Sequence, residues 1–85
     1  MKAVLGGSQY NIVFEPVPGS YGECDYPEDQ ITIDPNVGQQ ELLDTEIHEY
    51  LHAALPFLTE EMVGQVSNEV SDVLWRRGYR RRRSG

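Results

Sequence analysis

An α+β fold, a small antiparallel sheet of about three strands packed on a two-helix hairpin, is what this 85-residue chain predicts. Three observations carry that expectation. Up to Pro35 the residues are rich in turn formers and β-branched side chains, and from about Gln39 the apolar positions repeat at helical spacing. Pro56 then divides the helical half in two, because proline lacks the N–H that would continue the ladder and clashes with the preceding turn.

Taken in order, Ile12-Val13-Phe14 is an apolar run that stops at Pro16-Val17-Pro18-Gly19 and reads as a buried strand. Segments 22–26 and 30–34 flank Pro27-Glu28-Asp29, and the second alternates Ile31 and Ile33 with Gln30, Thr32 and Asp34. The pair predicts a β-hairpin with a short loop. Lys2 to Leu5 either pairs with the first strand or extends it. In the helical half, Leu43, Ile47, Leu51 and Ala54, with Leu55 beside them, form one face expected to pack on the sheet. Thr59 suits an N-cap, with Glu60 and Glu61 at the positive end of the second helix dipole. That helix is expected to run to about Arg77, before Gly78, with Val63, Val66, Val70, Val73 and Leu74 toward the core. A tight connection makes the two helices antiparallel neighbours.

At 39% hydrophobic and 25% charged residues the composition is that of a globular domain. Residues 1–78 read as one domain and 79–85 as a basic, arginine-rich tail. No apolar run approaches the roughly 20 residues of a membrane-spanning helix, and the first residues lack a secretory signal's apolar stretch, so the expectation is a cytoplasmic protein with no membrane partner. The single cysteine, Cys24, excludes an intrachain disulfide and a thiolate zinc site made by this chain alone. Its neighbours Glu23 and Asp25 should raise its thiol pKa and disfavour a nucleophilic role. Charge is unevenly spread: residues 1–75 set Lys2 against all 14 acidic side chains, a formal −13, while the last ten carry six arginines, +6. Such a tail can touch nucleic acid, but cations at a helix C-terminus also suit its dipole, and that is the reading preferred here.

The chemistry resides in His48-Glu49-Tyr50-Leu51-His52, an HExxH motif. Histidines four apart on a helix project from one face and can reach one metal ion, while the intervening glutamate can hold a water and take its proton. Zinc needs a third protein ligand, and with no further histidine it must be a carboxylate. Candidates on the second helix are Glu60, Glu61 and Glu69. Glu60 shares a stripe with Gly64, Ser67 and Ser71, small residues that let another helix approach, so this stripe should face the histidine helix. Glu61 and Glu69 lie on more polar faces, and Glu69 is about 7–10 Å further along the helix. Glu60 is the choice, Glu61 the reserve and Glu69 a distant third. Asp44, one turn before His48, either accepts a free imidazole N–H or stands as a solvated carboxylate on the helix face.

The motif, the short loop and the glutamate-bearing second helix together resemble a zincin of the gluzincin arrangement. With Tyr21-Gly22-Glu23-Cys24-Asp25 and Gln30-Ile31-Thr32-Ile33-Asp34 upstream, nearly the whole chain is similar to small phage and bacterial metallopeptidases related to the ImmA/IrrE and SprT-like groups. Asn68-Glu69-Val70-Ser71-Asp72 looks like the third-ligand segment of thermolysin-type enzymes, but is one residue short between Glu and Asp. The resemblance implies one Zn²⁺ on His48, His52 and Glu60, Glu49 as general base, and a protein or peptide substrate. It also implies a sheet edge, here 30–34, that takes the substrate as an added strand, and a bacterial or phage-infected cell as the setting. Tyr21, Tyr26, Tyr50 and Tyr79 are all conceivable oxyanion stabilisers. The rival expectation is a catalytically weak or inactive zinc-binding regulatory module, because the connection between the helices is too short to carry a substrate-walling subdomain.

Overall fold

A computed structural model describes residues 1–81 as four strands and two helices: β1 (Lys2–Leu5), β2 (Ser8–Phe14), β3 (Gly22–Asp25), β4 (Gln30–Ile33), α1 (Gln39–Ala54) and α2 (Glu60–Arg76). The class is α+β as expected, but the sheet has four strands rather than about three and is mixed rather than antiparallel. Its order is β1-β2-β4-β3, with β4 parallel to β2 and antiparallel to β3. Segment 30–34 is therefore not the sheet edge that the sequence suggested; that edge is β3. Side-chain chemistry explains the placement. Ile31 and Ile33 in β4 are fully buried and Thr32 nearly so, whereas β3 points Glu23 and Asp25 to solvent, and charge is tolerated on an edge strand.

The β3–β4 hairpin itself is as predicted, with Asp25 opposite Gln30. Its loop is closed by the Asp25 carboxylate, which accepts from the Glu28 N–H at 3.2 Å, and by Asp29 in the left-handed region at φ 50°. At the other edge β1 pairs with β2 through the two-residue turn Gly6-Gly7. Both glycines have positive φ, 60° and 84°, as a type I′ hairpin demands. Gly6 carries a second constraint. A Cβ there would lie 2.9 Å from the carbonyl oxygens of both Ala53 and Ala54, because the turn rests on the last turn of α1.

Helix α1 is a middle layer. It lies against β1, β3 and β4 on one side and α2 on the other, and among the described residues α2 contacts no strand. The core joins Tyr10, Ile12, Ile31 and Ile33 of the sheet to Leu42 and Ala53 of α1. The face of α1 buried most deeply is thus Leu42, Thr45, Glu49 and Ala53, about 150° around the helix from the expected Leu43-Ile47-Leu51-Ala54 line, which is half-buried. A helix covered from two sides has no single dry stripe for periodicity to reveal.

On α2 the correction is larger. Val63 is buried and Leu74 half-buried, but Val66, Val70 and Val73 are exposed, and the other buried positions are Ser67 and Ser71. Their hydroxyls bond back to the carbonyls of Gly64 and Asn68, which satisfies them inside the contact and lets the helices approach closely. Gly64 does not set that approach, since a Cβ there would meet nothing within 4 Å. The ends follow the sequence. The Thr59 hydroxyl accepts from the Met62 N–H at 3.1 Å. At the other end Gly78 takes φ 90°, and the N–H groups of Gly78 and Tyr79 bond Trp75 and Leu74 carbonyls in a Schellman arrangement.

Beyond that cap, Arg80 stacks on Trp75 with its guanidinium carbon 3.2 Å from the ring centroid, and donates to the Trp75 carbonyl at 2.7 Å. It thus bonds one of the helix's last carbonyls, in keeping with a cation at the negative pole. Arg82 and Arg83 lie outside the described residues. Among the described residues no helix is long and apolar enough to cross a membrane.

Gly6→Ala should destabilise the fold more than Gly7→Ala. Both substitutions force an L residue into a left-handed conformation at a cost of about 1–2 kcal/mol, but a Cβ at residue 7 meets nothing within 4 Å while one at residue 6 meets two backbone oxygens. Urea unfolding of the two variants measures the difference, and equal losses would show that the turn does not rest on α1.

Candidate metal centre

His48 and His52 stand one turn apart on α1, with ring centroids 4.9 Å apart. Both aim Nε2 at the first residue of α2: His48 Nε2 lies 2.8 Å from Glu60 Oε1 and His52 Nε2 2.7 Å from Glu60 Oε2. The three side chains are the group of potential metal ligands among the described residues, with one donor atom from each lying within 4.8 Å of the others. Glu61 and Glu69 are not part of it; both are exposed, and Glu69 accepts from Gln65 on its own helix.

The arrangement follows from local rules. Thr59 starts α2 where the chain returns alongside α1 after Pro56, so the first-turn carboxylate arrives level with the last turns of α1. Pro56 has another effect. It has no N–H to give the carbonyl of His52, four residues earlier, and the Tyr26 hydroxyl donates to that carbonyl instead, at 2.9 Å. The start of the β3–β4 loop is thereby tied to α1 at the second histidine.

His48 has a partner on its other nitrogen. The buried Ser67 hydroxyl donates to the Gly64 carbonyl at 3.1 Å, leaving its oxygen, 3.4 Å from His48 Nδ1, free to accept. With Nε2 donating to the Glu60 carboxylate at 2.8 Å, both ring nitrogens of His48 have a partner. Asp44 does not take this role: it makes no bond to His48, and its Oδ1 is buried without a partner. The clue to Ser67 was present in the chain as its place on the stripe that faces the histidine helix; what spacing did not reveal was which atom it would meet.

Burial is the largest single effect on Glu60 and opposes its ionisation, but the hydrogen bonds and charge of His48 and His52 together outweigh it and hold the carboxyl below its usual range. At Glu49 the balance is reversed. Burial, with the neighbouring charges of Glu60 and Glu23, raises its pKa against the opposing effect of the two histidines. Gly22 makes room for it, since a Cβ at residue 22 would lie 3.1 Å from the Glu49 Cγ and 2.9 Å from the Thr45 methyl.

These groups line a cleft of about 550 Å³ between β3 and α1. Ser20, Tyr21, Gly22, Cys24 and Tyr26 form one wall, and α1 with Glu60 forms the other. Its charged lining is the carboxylates of Glu41, Asp44, Glu49 and Glu60, with no lysine or arginine among the lining residues, so the cleft favours cations. The fit to a divalent ion is good in chemistry: two imidazole nitrogens and a carboxylate oxygen converge, and a cation there would replace the hydrogen bonds that now join them. Zinc ligands stand about 3.4 Å apart at the usual bond lengths. Glu60 stands closer to each histidine than two zinc ligands stand to one another, and its side chain is 72% exposed.

Of the four candidate tyrosines, Tyr21 and Tyr26 line the cleft. Tyr26 is committed to the His52 carbonyl, Tyr50 donates to Glu46 at 2.7 Å, and Tyr79 lines a separate pocket. Tyr21 remains the candidate to meet a developing oxyanion. Compared with protein-family models, curated proteins and solved structures, the chain matches none.

Burial, then the charges of Glu49, Asp25 and Asp29, push the Cys24 thiol up to about 11. At pH 8 about one thiol in a thousand is then ionised. Alkylation of the folded protein by iodoacetamide should run about a hundredfold slower than that of an unstructured thiol and accelerate steadily toward pH 11. Rapid labelling at pH 8 would contradict this placement of Cys24.

Proposed function

We propose that the chain is a minimal zinc-dependent metallopeptidase. The observation that carries this reading is the convergence of His48 Nε2, His52 Nε2 and the Glu60 carboxylate, beside a buried Glu49 in one cleft. His48, His52 and Glu60 would hold the ion. Bound there, zinc supplies Lewis-acid polarisation of a carbonyl and acidifies water.

The remaining work belongs to the chain. Glu49, whose pKa burial raises, takes the proton of the attacking water and returns it to the leaving amine. The Tyr21 hydroxyl donates to the oxygen that gains charge as the carbonyl becomes tetrahedral. Among the described strands β3 pairs only with β4, so its outer edge offers backbone groups to an extended peptide as an added strand beside the cleft. The acidic lining favours neutral or basic segments over acidic ones. With an ion bound, Ser67 would accept the proton on His48 Nδ1 and leave Nε2 for the metal.

Purified protein should bind one equivalent of zinc, measured by elemental analysis, and His48→Ala and Glu60→Ala should lose it. Glu49→Gln should keep the metal and lose at least about a hundredfold in hydrolysis of an unfolded protein substrate. Wild-type turnover in that variant, or bound zinc with no cleavage by the unaltered protein, would sink the peptidase reading.

Ser67→Ala should weaken zinc binding about tenfold. It should also shift the His48 ring ¹⁵N resonances of the metal-free protein toward the Nε2–H tautomer, because Glu60 still accepts from Nε2. Unchanged affinity and resonances would remove Ser67 from the site.

A further inference from the structure

Tyr26 bonds the carbonyl of His52, and a Cβ at Gly22 would meet the side chains of Thr45 and Glu49. Strand β3 and α1 therefore run in the same sense along the two walls of the cleft, and its two ends differ. One end holds the histidines and Glu60. The other is lined by Ser20 and Tyr21 on the strand side and by Glu41 and Asp44 on α1. At 100° per residue Glu41, Asp44, His48 and His52 fall within about 80° of arc, so one face of the helix follows the cleft, with Asp44 about 6 Å from the level of His48.

The carboxylates of the cleft are not equivalent. Glu60 is taken up by the two histidines, and Glu49 is packed against β3 at Gly22. Asp44 borders the cleft, yet its Oδ1 is buried and has no partner among the described residues. A buried carboxylate oxygen left unpaired calls for a donor. No lysine or arginine lines the cleft to supply one. A metal ion does not fit the need either, because among the described residues only His48, His52 and Glu60 converge as a metal's ligands do. A cationic group with N–H donors on a long flexible stem meets it. We propose that Asp44, with Glu41 beside it, is a subsite for a lysine or arginine side chain of the bound peptide. The inference rests on the peptidase reading and narrows its substrate to unfolded segments with a basic residue close to one side of the bond cleaved. Spacing agrees. In an extended peptide added to the β3 edge, side chains on one face recur about every 6.7 Å, so one placed two residues from the histidine cluster stands level with Asp44.

Binding and cleavage test it separately. Zinc-loaded Glu49→Gln protein is titrated with a fluorescein-labelled alanine–glycine peptide carrying one central lysine, and with the same peptide carrying norleucine there. The lysine peptide should bind about tenfold more tightly. Asp44→Asn in the same background should remove that preference, and Asp44→Lys should transfer it to a peptide with glutamate in the central place. In fragments that the unaltered protein releases from an unfolded protein, mass spectrometry should find lysine or arginine within two residues of the cleaved bond, on one side only. If nothing is cleaved but the lysine preference and its loss in Asp44→Asn persist, the peptidase reading fails and the subsite stands. Equal binding of the lysine and norleucine peptides, or cleavage with no basic residue favoured, overturns the subsite and leaves the peptidase reading in place.

Discussion

The enclosure of α1 between the sheet and α2 is the constraint on which the rest of the structure depends. On one side Leu42 and Ala53 close over Ile31 and Ile33, and burying each such isoleucine contributes about 2–3 kcal/mol. On the other side α2 comes close enough for a buried serine hydroxyl to lie 3.4 Å from His48 Nδ1. A helix held this way cannot rotate without losing one contact or the other. Its HExxH segment is therefore fixed with the two histidines toward the first turn of α2 and Glu49 toward β3.

The same enclosure separates the chemical characters of two neighbouring glutamates. Glu60 sits in the open at the start of a helix and faces two imidazoles, which stabilise its charged form. Glu49 lies against the strand at Gly22, where lost hydration favours its neutral form. One is suited to hold a cation and the other to exchange a proton. The division arises from packing, with the residue type the same in both.

Several features were legible before folding was considered. The HExxH spacing placed both histidines on one face, Pro56 ended α1, Thr59 capped α2, and the small-residue stripe pointed Glu60 rather than Glu61 or Glu69 at the histidines. Each depends on local geometry, with residues three or four apart on a helix sharing a face whatever surrounds them. Sequence reasoning failed where the question concerned partners distant in the chain. The parallel pairing of β2 with β4, the orphaned His52 carbonyl satisfied by Tyr26 across 26 residues, and Ser67 in the place expected of Asp44 each join segments whose relation no local pattern encodes.

The apolar periodicity of α2 shows the boundary most sharply. Its valines and its serines each make a regular stripe, and hydrophobicity alone favours burying the valines. The fold buries Ser67 and Ser71 instead, because small side chains that bond their own helix allow an approach that valines would hold apart, and that approach brings Glu60 to the histidines. The sequence by itself determined the helices, the ends of α2 and a histidine spacing suited to a metal, all set by neighbours along one turn. Which faces meet, which strand forms the edge, and where Glu49 and Ser67 sit were decided by the tertiary structure, because those choices depend on how three layers share the limited apolar surface of a small chain.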